Sequence, residues 1–347
     1  MIYSTLGTTD LKVSKICLGT MTFGAQNSEA EGHEQMDYAL EQGVNFWDTA
    51  ELYAVPSNAQ NNGETERIIG TWFKSRGKRE DVVLATKVTG PSGGLKYIRN
   101  HKLVFNEEQI RLALEGSLKR LQTDYIDLYQ LHWPERNNNR FGKRGFKYDP
   151  NDSWEDNFEE VLKVLQDLKQ EGKIRHFGIS NETPWGMMRF LQLSTQYDLP
   201  RAVSIQNPYS LLNRTFEIGL SEIAIREKCG LLAYSPMAFG LLSGKYHNGK
   251  ASDEARLNKF KQMSRYNGEN SFEATRRYLE LAEKYELSLA KLSLAFVNTR
   301  PFMTANIIGA TTMEQLKENI DSINVNITEE MMKEINEIHE AIPNPAP

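Results

Sequence analysis

Short apolar runs alternate along the whole chain with longer stretches in which apolar side chains recur every three to four positions. The runs cover residues 16–18, 45–47, 82–86, 126–131, 176–179, 202–205, 231–234 and 306–308. Each has the length and the Val, Ile and Leu content of a buried strand. Between them, Ile110, Ala113, Leu114, Ser117, Leu118 and Leu121 form one stripe, and Val161, Leu162, Leu165 and Leu168 another. That spacing puts each set on a single helix face. Glycine stops follow three of the helical stretches, at Gly43, Gly172 and Gly230. Eight strand–helix alternations without consecutive strands predict an α/β fold with a parallel sheet. Eight is the number that closes such a sheet, so a single (β/α)8 TIM barrel is expected over residues 1–347.

The pattern also predicts additions to the barrel. Residues 3–6 and Val13, with Gly7 and Asp10 at a turn, read as an N-terminal hairpin capping the bottom. Segments 288–297 and 328–342 read as accessory helices outside the βα count. Three connections are long for a compact domain, at 90–102, 134–153 and 238–271. Each follows a strand, which assigns it to the C-terminal face, where barrels carry their chemistry.

Composition narrows the function classes. Lys plus Arg number 41 against 46 Asp plus Glu, a net charge of −5. A mildly acidic chain with no basic tract argues against nucleic acid and anionic membranes as partners. No apolar stretch approaches bilayer length, and the first ten residues lack the basic and apolar regions of a secretion signal, so a cytoplasmic protein is expected. Cys17 and Cys229 read as buried free thiols, and the six histidines form no HxH or HExxH pair, so no metal is expected. The sequence sets no oligomeric state, and a monomer is compatible with it.

The positions just beyond the apolar runs are unusually polar. Asp48, Lys87 and His132 follow runs two, three and four, and Tyr53 lies five residues beyond Asp48. Ser180 and Asn181, Gln206 and Asn207, Ser235, and Gly309 to Thr311 follow the remaining runs. Helix capping accounts for any one of these, but poorly for a carboxylate, an ammonium, a phenol and an imidazole on three successive loops. A phenol of pKa about 10 is a weak acid near neutrality, and a neighbouring lysine stabilises its phenolate. A buried lysine stays charged only beside a countercharge, which Asp48 supplies. With a hydrogen-bond donor at His132, such a group delivers a proton to an oxygen as negative charge develops on it. No side chain delivers hydride, so a nicotinamide cofactor is implied, with a small-molecule carbonyl compound as substrate.

The segments Gly19–Gly24, 46–53 (FWDTAELY), 85–87 (ATK), 125–134 (YIDLYQLHWP), 172–181 (GKIRHFGISN) and 205–214 (IQNPYSLLNR) carry a resemblance over essentially the whole chain. It resembles the aldo-keto reductases. The resemblance implies NADP(H)-dependent reduction of aldehydes or ketones, with Tyr53 as general acid, Lys87 and Asp48 as its tuning pair and His132 orienting the carbonyl. It implies cofactor contacts from Thr20, Met21 and Asp48, with Ser180, Asn181 and Gln206 on the carboxamide and Tyr234 stacked on the nicotinamide. Ser235, Pro236, Met237, Ala238, Gly240, Leu241, Gly244 and Lys245 resemble the loop over the pyrophosphate. Ile308, Gly309, Ala310, Thr311, Gln315, Glu318 and Asn319 look like the adenosine-binding segment. Lys245, Arg256 and Thr311 are the candidates for a 2′-phosphate; the arginine many relatives carry near Met313 is missing.

The stretch Gly240 to Tyr246 superficially resembles a triphosphate-binding loop, but it is one residue short and has Tyr246 in place of Ser/Thr. Phe23, Trp47, Tyr53, His132 and Trp133 are the expected substrate pocket. The loop above it carries Arg136, Arg140, Phe141, Lys143, Arg144, Phe146, Lys147 and Tyr148, a composition suited to aromatic or anionic aldehydes. The alternative is a cofactor-binding regulatory protein with little turnover.

Overall fold

A computed structural model describes every residue except 144, 248, 250, 254 and 260–263. Two short antiparallel strands, β1 (Tyr3–Thr5) and β2 (Lys12–Ser14), precede eight parallel strands. These are β3 (Ile16–Gly19), β4 (Phe46–Asp48), β5 (Val83–Val88), β6 (Ile126–Leu131), β7 (Ile174–Ser180), β8 (Ala202–Pro208), β9 (Gly230–Tyr234) and β10 (Met303–Ile308). They close in chain order, with β10 pairing β3.

Helices α1 (Glu29–Glu41), α2 (Glu64–Arg76), α3 (Glu107–Leu121), α4 (Phe158–Gln170), α5 (Pro184–Tyr197) and α6 (Leu220–Arg226) follow the first six barrel strands. Between β9 and β10 lie α7 (Arg256–Lys259), α8 (Glu269–Lys284) and α9 (Leu289–Asn298), and the chain ends with α10 (Met313–Asp321) and α11 (Glu329–Ala341). Local chemistry sets many helix starts: Ser28, Asn106, Thr183, Ser288, Thr312 and Thr328 each accept a first-turn N–H. No described helix is long and apolar enough to cross a membrane.

The hairpin does cap the bottom. Leu6 and Val13 join Cys17, Phe46, Ala85, Leu128, Val203, Leu232, Ala305 and Ile307 in one apolar cluster inside the barrel. Above it the inward side chains turn polar, which places the chemistry at the opposite end. Both cysteines are buried free thiols.

Three expectations need correction. Five of the eight barrel strands run one to three residues further than the apolar runs, so Asp48, Lys87, Ser180, Gln206 and Asn207 lie within strands rather than after them. Segment 288–297 is no accessory helix: nine of the ten residues of α9 are buried, and it packs on β10 and α10. The added layer is α8, which packs against α11. Gly43 and Gly172 take positive φ as helix stops do, but at the third site Lys228 takes the left-handed turn. Gly230 instead opens β9, where a Cβ would lie 2.1 Å from Thr304 Oγ1.

Candidate active site

Alternation along β4 and β5 decides which side chains meet. Phe46 and Asp48 point into the barrel and Trp47 outward; Ala85 and Lys87 point inward and Thr86 outward, to Glu66 of α2. Strand pairing then brings the Lys87 ammonium, fully enclosed, to 2.7 Å from Asp48 Oδ2 and 2.7 Å from the Thr49 carbonyl. It lies 4.9 Å from the centre of the Tyr53 ring, close enough for its charge to act on the phenol. The imidazole of His132, just past β6, meets the Tyr53 ring edge-on at 5.8 Å. The four residues predicted as the catalytic group therefore do converge.

Asp48 is held from its other side. Its Oδ1 accepts from Gln206 Nε2 at 2.8 Å and Gln130 Nε2 at 3.2 Å, and Thr20 Oγ1 donates to its backbone carbonyl at 2.8 Å. Gln130 was not foreseen. It sits between Tyr129 and Leu131 in a run assigned to a buried strand, and its signal is polarity at an inward register position beside Lys87.

The electrostatics assign distinct protonation states. Burial works to lower the Lys87 pKa, but Asp48 and Tyr53 outweigh it and hold the ammonium above its usual value. Burial raises the Tyr53 pKa, with a push from Asp48, and Lys87 only partly offsets this. Burial therefore outweighs Lys87 and keeps the phenol protonated in the free protein. His132 is driven well below its ordinary value by burial and by Lys87, so it is neutral, and its buried Nδ1 has no partner among the described residues.

A second set of predicted residues meets beside this group. Tyr234 OH donates to Asn181 Oδ1 at 2.6 Å, Asn181 Nδ2 donates to the His132 carbonyl at 2.9 Å, and Ser180 Oγ donates to the Gln206 carbonyl at 2.8 Å. Asn138, also unforeseen, donates to the Asn181 carbonyl at 2.9 Å. The Arg265 charge acts on the Tyr234 phenol, whose pKa burial nevertheless raises.

The predicted cofactor loop after β9 folds back through positive φ at Ser235, Ala238, Phe239 and Gly240. A Cβ on Gly240 would lie 3.6 Å from Lys245 Nζ. Arg256 Nη2 donates to Gln26 Oε1 at 3.0 Å. Burial lowers the pKa of both cations, and Arg256 lowers Lys245 further. Among the described residues neither has a carboxylate within ion-pair distance, and the Arg256 charge acts on Lys245. After β10, Gly309 borders open space, Gln315 Oε1 accepts from Thr311 N, and Asn319 donates to the Gly309 carbonyl, shaping the turn into α10. Cations with no carboxylate partner among the described residues fit an anionic ligand.

The predicted pocket is only partly realised. Trp133, 4.7 Å from the His132 ring and edge-on to Phe141, walls the mouth. Trp47 and Phe23 do not. Trp47 is fully buried outside the barrel, 4.8 Å from Trp72, and its indole N–H donates to Val44. Phe23 is buried against Gly32 and the helix layer. Above the mouth, Arg136 is occupied by Glu182 and by the ring of Trp185, and Arg144 lies outside the described residues. Arg140 caps the Asn138 side chain and has no ion pair among the described residues.

Comparison with known proteins agrees with this geometry. A model of the aldo/keto reductase family matches residues 15–340. The chain is 46% identical to the protein tas of Escherichia coli (strain K12) over the full length of both. It is 36% identical to the uncharacterized oxidoreductase YrpG of Bacillus subtilis (strain 168), over 97% of this chain and 96% of that one. It is 29% identical to norsolorinic acid reductase stcV of Emericella nidulans, over 96% of this chain and 79% of the relative.

Proposed function

The chain belongs to the aldo/keto reductase family, and from that premise we propose that it reduces aldehydes and ketones to alcohols with NADPH, Tyr53 being the proton donor. One observation carries the reading. An enclosed ammonium, Lys87, pairs with a carboxylate and lies 4.9 Å from the centre of a phenol ring, which in turn meets a neutral imidazole edge-on.

Each group has one task. Burial keeps the Tyr53 proton in place at neutral pH, which a general acid requires. As negative charge builds on a carbonyl oxygen, that proton moves to it, and Lys87 stabilises the phenolate left behind. Asp48 keeps Lys87 charged, and Gln130 and Gln206 keep Asp48 in line. Neutral His132 donates a hydrogen bond to the same oxygen and thereby orients it. A bound nicotinamide would supply the hydride that no side chain provides. Ser180, Asn181, Gln206 and Tyr234 would hold its ring, and Lys245 and Arg256 favour the extra phosphate of NADPH over NADH. Trp133 and Phe141 favour a flat aromatic carbonyl compound, and Arg140 a carboxylate on it. The site of action is proposed to be the cytoplasm, where both thiols would stay reduced.

The test is fluorescence titration with NADPH and NADH, followed by absorbance assays of NADPH consumption with carboxylated benzaldehydes and neutral aliphatic aldehydes. Tighter binding of NADPH and faster turnover of the carboxylated aromatics are expected. Binding without turnover of any carbonyl compound would replace the reading by a regulatory one; equal rates for the two aldehyde classes would remove the substrate preference alone.

A further inference from the structure

We propose that a buried ion pair between Arg99 and Glu51 is a clamp that sets the position of Tyr53, which makes both positioning residues for proton delivery. The inference rests on the reading of Tyr53 as proton donor. Glu51 lies two residues before Tyr53, on the loop leaving β4, and is only 3% exposed. Its Oε1 accepts from Arg99 Nε at 2.8 Å, and its Oε2 accepts from the Thr89 N–H at 2.9 Å and from Arg99 Nη2 at 3.4 Å.

Arg99 comes from the long connection after β5. Its Nη2 also donates to the Thr89 carbonyl at 2.8 Å, and its Nη1 to the Lys102 carbonyl and Gln109 Oε1, each at 3.1 Å. One guanidinium thus ties together the Tyr53 loop, the end of β5, its own loop and the first turn of α3. A lysine could not do this, since it lacks the planar fork of donors.

Two further features fit a clamp better than a chance ion pair. Arg99, Asn100 and His101 have φ of 44°, 53° and 65°, three successive non-glycine residues in the left-handed region. Such strain persists where surrounding contacts over-determine it, and the Arg99 bonds are those contacts. Between the clamp and the phenol lies a small apolar cluster of Leu52, Ile98, Leu103 and Trp133, against which Tyr53 itself packs. A shift of the 99–101 segment would therefore pass through packed side chains to Tyr53.

The experiment compares wild type, Tyr53→Phe, Arg99→Met, Arg99→Lys and the double variant Glu51→Gln/Arg99→Met, all loaded with NADPH. Arg99→Met should leave the NADPH Kd within about 3-fold and lower kcat about 10- to 100-fold, the order expected for a misplaced catalytic group. Its solvent deuterium isotope effect on kcat should rise as proton delivery slows. Arg99→Lys should not restore kcat, and the double variant should be no worse than Arg99→Met, because the two residues act as one unit. Unchanged kcat in Arg99→Met, or a parallel collapse of kcat and NADPH affinity, would overturn the clamp. Wild type lacking turnover would sink the proton-donor reading instead. Amide exchange would then decide the clamp: residues 49–55 must exchange faster in Arg99→Met while the barrel strands keep their protection, and unchanged exchange overturns it.

Discussion

Replacing Asp48 by Asn changes almost no volume yet removes the carboxylate that pairs with Lys87. The geometry makes the cost specific. In the wild type Oδ2 faces the ammonium and Oδ1 accepts from two glutamine amides. An asparagine oxygen can serve one side only, and if it stays with Gln130 and Gln206, its NH2 points at the Lys87 donors. Removing one partner of a buried pair destabilises by about 3–5 kcal/mol, a large share of the ~5–15 kcal/mol typical of a folded domain. The pH dependence gives a second signature. In the wild type the folded pKa of Lys87 is raised, so its contribution is complete below the unfolded value of 10.5 and is lost only as pH rises through the folded value. In Asp48→Asn burial is no longer opposed by Asp48, and the folded pKa falls below 10.5. The unfolded chain then binds the extra proton, and the variant gains stability as pH rises towards 10.5, by at most about 1.4 kcal/mol per pH unit. Urea unfolding of both proteins from pH 7 to 10 measures this. The double variant Asp48→Asn/Lys87→Met should lose less than the sum of the two single losses. A loss under about 1 kcal/mol for Asp48→Asn, with the same pH dependence as wild type, would refute the buried-pair argument.

Three further outcomes follow from the same geometry. Trp47→Ala should cost about 3–5 kcal/mol in urea unfolding and leave KM for aldehydes within a few-fold, whereas a raised KM at full stability would return Trp47 to the pocket wall. Arg256→Leu should weaken NADPH by roughly 10- to 150-fold, the ~1.5–3 kcal/mol of a charge-assisted hydrogen bond, and NADH far less; equal losses in fluorescence titrations would remove Arg256 from phosphate recognition. His132 has a depressed folded pKa, so the unfolded chain takes up a proton below about 6.5 that the folded one refuses, and stability falls with falling pH. His132→Asn should flatten that acid limb, and identical slopes between pH 6.5 and 5 would contradict a neutral buried imidazole.

Much of the architecture was legible because barrel strands and helices differ in apolar period, and because a bottom hairpin and a polar rim leave opposite signatures. The apolar runs stopped short of the strands at Asp48, Lys87 and Gln206 because the hydrogen-bond ladder continues where hydrophobicity ends. Trp47 was assigned to the pocket by its nearness in sequence to Asp48, yet neighbours on a strand face opposite sides, and period two sends it to the helix layer. Gln130 was hidden between apolar residues. The Glu51–Arg99 pair was invisible for another reason: its partners are 48 residues apart on two irregular loops, where no periodicity links them. The balance between burial and the Lys87 charge at Tyr53 was not legible either, since it depends on enclosure that spacing does not encode.

The central claim, that Tyr53 gives its proton to a reacting carbonyl oxygen, is tested most directly by single-turnover reduction of an aromatic aldehyde by NADPH-loaded Tyr53→Phe. The account predicts a rate lower by at least about 100-fold, with NADPH affinity within about 3-fold of wild type, because the ring and its packing are kept. A variant that binds NADPH normally and reduces the aldehyde at the wild-type rate would contradict it.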